Sequence, residues 1–381
     1  MSQPGIVRDC DLIIIGAGIH GCSTALFAAM RGLSVVVLEK DSVARHASGV
    51  NAGGVRRLGR HFAELPISVH SMRIWYGIAD LVGDDCGFQI SPQIKLGLKD
   101  EDLVAMRQRI VDLKALGYDH ETLLTPVEVR HHIPGVTDRI VGAIACLDDG
   151  FAQPFQATFG IYRKAKSLGA RFYEGLAAQS VSQSTDNVWN VETDAGTFRA
   201  PKLQISAGLW SSKFAQSVGE PTPMRNYAPM MMVTTRLRPF CNAVVGAAGK
   251  PLSFKQMPNG TVVIGGGRPG LPDPDTNRAE ATFAPLRLSA QIVTSLFPIM
   301  AEASVVRTWA GLEGRMSDDV PVVGASPRHE GLYYAYGFSA HGFQLGPGMG
   351  DIMAELIATG RAPVDLAPLR ADRFDQLRKA A

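Results

Sequence analysis

A glycine-rich turn between a short apolar strand and a helix, near the start of the chain, constrains the fold most. Leu12–Ile15 has the length and β-branched content of a buried strand, and a helical pattern begins directly after Gly16. Gly16, Gly18 and Gly21 follow the spacing G-x-G-x-x-G. In such a turn the first glycine permits the bend, the second admits a pyrophosphate, and the third lets helix pack on strand. Because free N–H groups at a helix start bind phosphate, the segment predicts a nucleotide site.

A second apolar strand and an acidic residue complete the pattern. Val35–Leu38 is followed by Glu39, which lies 23 residues after Gly16 and is placed to accept hydrogen bonds from a ribose. Glycine triplets also occur in ordinary turns, but strand, glycines, helix, strand and acid in this order favour dinucleotide binding. The pattern alone does not separate FAD from NAD.

Length and composition describe a globular protein without a nucleic-acid or membrane footprint. The 381 residues exceed one typical core, so we expect two domains. The formal charge is only +2, and no apolar stretch reaches the roughly 18 to 20 residues of a membrane span. The N-terminus lacks a signal-peptide pattern, so we expect a cytoplasmic protein. Five dispersed cysteines without a C-x-x-C pair, and no histidines at metal-binding spacing, predict neither a disulfide framework nor a metal site.

The second strand leads into residues 45–61, which are rich in glycine, serine and arginine. This composition predicts a loop whose backbone approaches a ligand closely, with a flexible surface loop as the alternative. The glycine turn, the acidic strand end and then S-G-x-N-A-G-G-x-R, which begins at Ser48, resemble the FAD-dependent D-amino acid oxidase superfamily. This group holds glycine oxidase, monomeric sarcosine oxidase and the β subunits of heteromeric sarcosine, proline and opine oxidoreductases.

Three later segments carry the same resemblance. Residues 187–208 resemble the family's hairpin and the strand that ends in an Ala-Gly turn beside the cofactor. Residues 309–324 resemble the segment that leads to the flavin ring, and residues 337–350 resemble the last glycine-rich turn and helix start under the isoalloxazine. Because these matches span nearly the whole chain, the resemblance favours FAD over NAD.

The resemblance implies an α/β (α+β) fold, with a Rossmann-like FAD-binding domain of the glutathione reductase type interleaved with a substrate domain on a mixed or antiparallel sheet. We expect residues 1–85, 145–220 and 310–381 in the FAD-binding domain, and residues 86–144 and 221–309 in the substrate-binding domain.

Apolar periodicity predicts the main elements between these segments. Alternating apolar strands and Pro- or Gly-rich loops over residues 227–264 predict a sheet that covers the cofactor. Helices are predicted at residues 101–116, 126–132, 154–168, 279–297 and 350–360.

We expect the FAD to be bound non-covalently, because Met316 stands where monomeric sarcosine oxidases carry the cysteine of a covalent link. The resemblance also allows an FMN that is bound at an interface with a partner subunit. The expected cofactor contacts all lie in the segments that carry the resemblance. They are Gly16, Gly18, Ile19, His20, Gly21, Glu39, Lys40, Ser48, Asn51, Ala52, Gly53, Gly54, Val55, Val181, Ala207, Gly208, Trp210, Gly311, Gly342, Phe343, Gln344 and Leu345.

An amino-acid substrate needs a cation for its carboxylate, and a bidentate arginine suits that role. Arg56 falls where sarcosine-oxidase-like members place such an arginine, with Arg57 and Arg60 as competitors and a surface ion pair as the alternative role. Gln344 stands where those relatives carry an assisting lysine. His341, beside the expected pyrimidine edge of the flavin, is expected to polarise or position the ring rather than to exchange protons. Arg56, His341 and Gln344 are thus the catalytic candidates.

Two departures from the family bear on the substrate and the electron acceptor. Glycine oxidases carry an arginine just after W-A-G-L, where this chain has Glu313. This acid either faces a cationic or amino group of a longer substrate or is an exposed loop residue. Monomeric sarcosine oxidases place a lysine over flavin N5, where this chain runs Gly265, Gly266, Gly267, Arg268. Since no cation is evident there to stabilise a superoxide-like state, we expect slow reaction with oxygen.

The favoured function is oxidation of the C–N bond of a secondary or N-alkyl amino acid (proline, hydroxyproline, sarcosine or an opine) by hydride transfer to flavin N5. Hydrolysis of the imine follows, and electrons pass to a partner subunit or carrier, as in the β subunit of a heteromeric dehydrogenase or oxidase. A free-standing glycine or D-amino acid oxidase that makes hydrogen peroxide is the alternative. A flavin-holding subunit without turnover and an NAD-dependent dehydrogenase represent other classes.

Overall fold

The computed structural model describes residues 8–266 and 268–375. Gly267, in the run compared above with the lysine over N5, lies outside the described residues, as do both ends of the predicted FAD-binding domain. None of the helices within the described ranges is long and apolar enough to cross a bilayer.

A six-stranded sheet carries the N-terminal glycine turn. Neighbouring strands are parallel except for the last pair. Leu12–Ile15 and Val35–Leu38 are buried throughout, as expected of central strands covered on both faces. The strand order is Arg171–Tyr173, Val35–Leu38, Leu12–Ile15, Lys202–Ile205, Leu332–Tyr336 and Val322–Ala325. This order brings Gly16 and Ala207 to the same carboxyl edge, where such sheets bind ligands.

The last long helix, Gly342–Thr359, packs closely against two earlier helices, Ile19–Met30 and Leu65–Tyr76. A side chain at Gly348 would collide with Ser71, and one at Gly350 with Ser23. The helix begins eight residues earlier than predicted, because glycines that weaken an isolated helix here permit close packing.

An eight-stranded sheet lies over the cavity described below. Its strands at residues 230–265 pair with one another in antiparallel fashion, which confirms the prediction for this region. The helix Phe283–Leu296 and the stacked rings of Phe254 and Phe297, 4.2 Å apart, belong to its apolar core. The strand order is Val305–Ala310, Met230–Thr234, Val262–Gly265, Lys250–Gln256, Val244–Ala247, Gln93–Gly97, Gly142–Cys146 and Thr122–Leu124.

Smaller elements complete the described fold. The smaller sheets pair Arg8–Asp9, Gly196–Ala200, Trp189–Thr193 and Ser180–Gln183; Gly54–Val55, Gly150–Phe151 and Gln89–Ile90; Met224–Tyr227 and Glu313–Met316; and Leu271–Asp273 and Arg278–Glu280. The further α-helices are Ala47–Val50, Ile78–Val82, Asp100–Ala115, Pro126–His132, Pro154–Ser167 and Ser211–Ser217. Single 3-10 turns are Phe62–Glu64, Gly208–Trp210, Pro298–Glu302, Ala367–Leu369 and Ala371–Phe374.

The structure confirms the mixed α/β class and most predicted elements, with two local differences besides the earlier start of the last helix. Residues 45–61 are not a plain loop, because they contain the helix Ala47–Val50 and the strand Gly54–Val55. The helix predicted from residue 279 begins at Phe283, because Arg278–Glu280 pairs with Leu271–Asp273 instead. The boundaries of the two interleaved domains stay a prediction.

Candidate active site

A cavity of about 990 Å³ runs from the carboxyl edge of the six-stranded sheet to the underside of the eight-stranded sheet. Its walls include Gly16 from the edge of the first sheet and Val244 and Leu252 from the second. This volume is at the upper end of the range for ligand pockets, so the cavity has room for an extended ligand.

The glycine turn forms the first wall of the cavity. Gly16 has a φ of +104°, and a side chain there would collide with the Ser206 backbone. The Glu39 carboxylate accepts hydrogen bonds from the backbone N–H groups of Ala17 at 2.8 Å and Asp41 at 2.9 Å. Burial raises the pKa of Glu39, although these N–H groups oppose the shift. The bare turn and the buried acid fit the pyrophosphate and ribose of a dinucleotide.

Two further contacts shape the nucleotide end. The Ile19 N–H at the start of the first helix donates to Ser48 Oγ at 2.9 Å, which ties the segment after the second strand to the glycine turn. The Lys40 ammonium lies 3.4 Å from the centroid of the Trp210 ring, and both side chains border the cavity. This end therefore offers a flat aromatic wall and a cation.

The structure brings most of the predicted cofactor residues to this one cavity. Those that border it are Gly16, Gly18, Ile19, His20, Glu39, Lys40, Ser48, Asn51, Ala52, Gly54, Ala207, Gly208, Trp210, Gly311, Gly342 and Phe343. Those that lie behind its wall are Gly21, Gly53, Val55, Val181, Gln344 and Leu345. Val181 belongs to a different part of the fold, because it packs in the apolar core on the hairpin side of the sheet. Direct cofactor contact by each residue stays a prediction.

His20 is a polar group on the cavity wall without a protein partner. Its ring stacks on Phe338 with 3.6 Å between centroids, and neither ring nitrogen has a hydrogen-bond partner among the described residues. Burial lowers the pKa of His20 to about 3, so the ring is neutral. A neutral imidazole has one donor and one acceptor, and in His20 both nitrogens are buried.

The three clustered arginines have different environments. Arg57 forms ion pairs with Asp148 and Asp149, whose charges raise its pKa despite its burial, and it does not border the cavity. Arg56 and Arg60 both border the cavity. Two of the three arginines are therefore placed to meet a ligand.

Arg60 has a buried donor that lacks a hydrogen-bond partner in the described part of the chain. Its Nε donates to the Arg56 carbonyl at 3.0 Å and its Nη2 to Gln344 Oε1 at 3.2 Å, whereas its buried Nη1 has no partner among the described residues. Burial and the neighbouring Arg56 charge lower the pKa of Arg60 to about 9, so it is still protonated at neutral pH. Gln344 is fully buried, and its amide also bonds to Ser68.

His341, the other predicted catalytic residue, borders the cavity and contacts Glu64. Its Nδ1 lies 3.2 Å from Glu64 Oε2. Burial lowers the pKa of His341, although Glu64 opposes the shift. Burial alone would raise the pKa of Glu64. The contacts with His341 and Arg60 outweigh burial, so the pKa of Glu64 lies below its usual value. The acid therefore lies beside His341 and partly balances the arginine charge.

The turn before the last helix has a strained backbone. Ser339 and Ala340 have φ values of +51° and +68°, which residues with side chains adopt rarely and at a cost. In this conformation the Ala340 N–H donates to the Glu313 carboxylate. Glu313 is therefore not a free loop acid, because its side chain is held by this turn and borders the cavity.

One buried lysine lies just behind the cavity wall. Lys255 is 5% exposed, and its ammonium is 4.4 Å from the centroid of the Phe151 ring. Its Nζ would lie 3.2 Å from a side-chain carbon at Gly53. Burial lowers its pKa to about 7, and no carboxylate in the described ranges forms an ion pair with it.

Several residues that border the cavity were not among the predicted cofactor contacts. Arg45 and His46 begin residues 45–61, which were expected to approach a ligand, so the composition of that segment was a usable signal for them. Tyr227 and Met231 line the opposite wall from strands without a binding motif, and nothing in the sequence marks them.

Comparisons with known proteins agree with this geometry. The sequence profile of the family DAO, described as FAD dependent oxidoreductase, matches residues 11–356. An opine oxidase subunit from Rhizobium meliloti is 24% identical, over 96% of this chain and 98% of that protein. The beta chain of sarcosine oxidase from an Arthrobacter species is 25% identical, over 98% of this chain and 93% of that protein.

Solved structures share the fold over nearly the whole chain. L-Proline dehydrogenase from P. horikoshii superposes with a TM-score of 0.89 at 24% identity, covering 97% of this chain and 99% of that one. Glycine oxidase from Geobacillus kaustophilus superposes with a TM-score of 0.87 at 22% identity, covering 96% and 99%. The chain belongs to the DAO family and is an FAD-dependent amino acid oxidoreductase.

Proposed function

We propose that this protein oxidises the C–N bond of a secondary or N-alkyl amino acid and works as the β subunit of a heteromeric dehydrogenase or oxidase. The observation that carries the proposal is the pair of arginines, Arg56 and Arg60, on the wall of a cavity that also offers a glycine turn and a buried acid suited to a dinucleotide. The relatives named as subunits of opine oxidase and sarcosine oxidase support the substrate class and the subunit role.

Bound non-covalent FAD supplies the acceptor for a hydride from the carbon beside the nitrogen. The chain's own residues then have to hold the substrate and exclude water. Arg60 and Arg56 bind the carboxylate, and charge-assisted contacts of this kind are stronger than neutral hydrogen bonds. Gln344 does not reach the cavity and has both amide groups engaged, so it positions Arg60 rather than touching the substrate. His341, which lies beside Glu64, orients the ligand edge next to it.

An anaerobic bleaching screen of the FAD-loaded protein tests this proposal. Proline, hydroxyproline, N-methylglycine and N-carboxyalkyl amino acids are compared with glycine and D-alanine at equal concentration. We expect rapid loss of flavin absorbance with one of the secondary amines and slow or no loss with the primary ones. Fastest bleaching by a primary amino acid would refute the substrate class, and a yellow protein that nothing bleaches would refute catalysis.

A second candidate, a free-standing glycine or D-amino acid oxidase that releases hydrogen peroxide, is favoured by Lys255. The expectation of slow oxygen reaction rested on the lack of a cation near residues 265–268. Lys255 lies directly opposite Val263 on the neighbouring strand and beside Gly53, so a cation is near this region after all. The rate of reoxidation by air, compared between wild type and Lys255→Met, separates the candidates. Fast reoxidation that is lost in the variant supports the oxidase, and slow reoxidation in both supports the subunit.

A further inference from the structure

Glu313 borders the cavity at a position that its neighbours hold firmly. It lies in the strand Glu313–Met316, directly opposite Tyr227 on Met224–Tyr227, and both side chains border the cavity. The strained turn at Ser339 and Ala340 supplies the N–H that holds the carboxylate. Strain of this kind persists where the surrounding structure maintains it, commonly at ligand sites.

Within the described ranges, residues 8–266 and 268–375, Glu313 has no ion-pair partner. Arg315, two residues along the strand, is engaged by both carboxylate oxygens of Asp319 at 2.6 and 2.7 Å and lies over the Tyr227 ring. Among the described residues, no lysine, arginine or histidine nitrogen forms an ion pair with Glu313. Burial raises its pKa to about 7, since only the Ala340 N–H and the distant Arg315 charge oppose it. A carboxylate in such surroundings is stabilised by a cation that a ligand brings.

The arginines and Glu313 border different parts of the same cavity. In the described part of the chain, no ion pair joins Glu313 to Arg56 or Arg60. The opposite charges therefore do not neutralise each other directly. A simple α-amino acid, whose carboxylate and amine sit on one carbon, does not span both. A longer molecule, with a carboxylate at one end and a cation at the other, does.

We propose that Glu313 determines substrate specificity by binding a guanidinium or ammonium group at the far end of the substrate. The preferred substrates are then N-substituted amino acids that carry a cationic side chain. This inference rests on the proposed function, since it assumes that the substrate carboxylate binds at the arginines.

The test uses two ligands that lack the oxidisable amine, δ-guanidinovalerate and its uncharged, nearly isosteric analogue δ-ureidovalerate. Each is titrated into the FAD-loaded protein, and the dissociation constant is taken from the change in flavin absorbance. We expect the guanidino ligand to bind the wild type at least about tenfold more tightly than the ureido ligand. In Glu313→Gln this preference should fall to about onefold, whereas Glu302→Gln, an exposed acid outside the cavity, should retain it.

Equal affinity of the wild type for the two ligands, including binding of neither, would overturn the inference. So would a full preference in Glu313→Gln. Failure here is distinguishable from failure of the proposed function, because the titration involves no turnover. A protein that bleaches with N-methylglycine or proline but shows no charge preference loses only the inference about Glu313. A protein that discriminates the ligands but bleaches with no amino acid loses the proposed function.

Discussion

Replacing Lys255 with methionine should stabilise the FAD-free protein, and by more at pH 6 than at pH 9. The Lys255 ammonium is buried, faces the Phe151 ring, and has no ion-pair partner in the described part of the chain. Burial lowers its pKa from 10.5 to about 7 in the folded state. Each unit of pKa shift corresponds to about 1.4 kcal/mol, so the folded protein carries a penalty of roughly 4 to 5 kcal/mol below pH 7.

The direction of the pH effect follows from proton binding. Between pH 7 and 10.5 the unfolded chain holds the Lys255 proton while the folded protein releases it, so stability rises with pH across this window. The penalty at pH 9 should be smaller than at pH 6 by about 3 kcal/mol. Methionine fills a similar volume without charge, so the variant should lack this dependence.

Urea unfolding at the two pH values measures this prediction. The free energy of unfolding of Lys255→Met, less that of the wild type, should be positive at pH 6 and should decrease towards pH 9. Lys250→Met serves as the control, because Lys250 lies exposed on the same strand. A variant that is equally or less stable than wild type at both pH values would show that Lys255 is neither costly nor unpaired, which would refute the reasoning.

Three further predictions concern the cavity. Gly16→Val should abolish stoichiometric FAD binding, because a side chain at a φ of +104° collides with Ser206. The absorbance of the purified protein measures this, and retained FAD would contradict the assignment of this turn to the cofactor. Arg60→Gln should raise KM for the best substrate about 10- to 100-fold, the value of a charged hydrogen bond of about 1.5 to 3 kcal/mol, with FAD content unchanged; an unaltered KM would remove Arg60 from carboxylate binding. Ionisation of Glu313 near pH 7 should make δ-guanidinovalerate bind more tightly at pH 8 than at pH 6, and a flat profile would contradict its raised pKa.

The nucleotide end of the site follows from local sequence, whereas the substrate end does not. Gly16 and Gly18 lie in one turn and Glu39 lies at the end of the next strand, so their spacing along the chain determines their positions in space. The start of the last helix was placed too late, because the glycines at 348 and 350 weaken an isolated helix. Their role in helix packing depends on contacts with Ser71 and Ser23, which lie far away in sequence.

Side-chain direction and strand pairing determine the substrate end of the site, and the sequence does not show either of them. The sequence offers three nearby arginines of equal chemistry, and only the positions of Asp149 and Gln344 show that Arg57 is paired and that Arg60 Nη1 has no partner among the described residues. Lys255 was not predicted, because it lies on the strand next to the one that leads into residues 265–268, where the family comparison places a lysine. For Glu313, sequence left a ligand contact and a loop acid equally open, and its bond to the strained turn at Ala340 favours the former.

The most direct measurement is product analysis after anaerobic single turnover of the FAD-loaded protein with the substrate that bleaches it fastest. The account predicts one equivalent of a carbonyl compound (an oxo acid or an aldehyde, according to which carbon beside the nitrogen is oxidised) and one of released amine or amino acid per flavin reduced, or one equivalent of cyclic imine for proline. Bleaching should be slower when the hydrogen on that carbon is deuterium. Flavin that stays oxidised with every secondary amino acid, or bleaching that yields no such product, would contradict it.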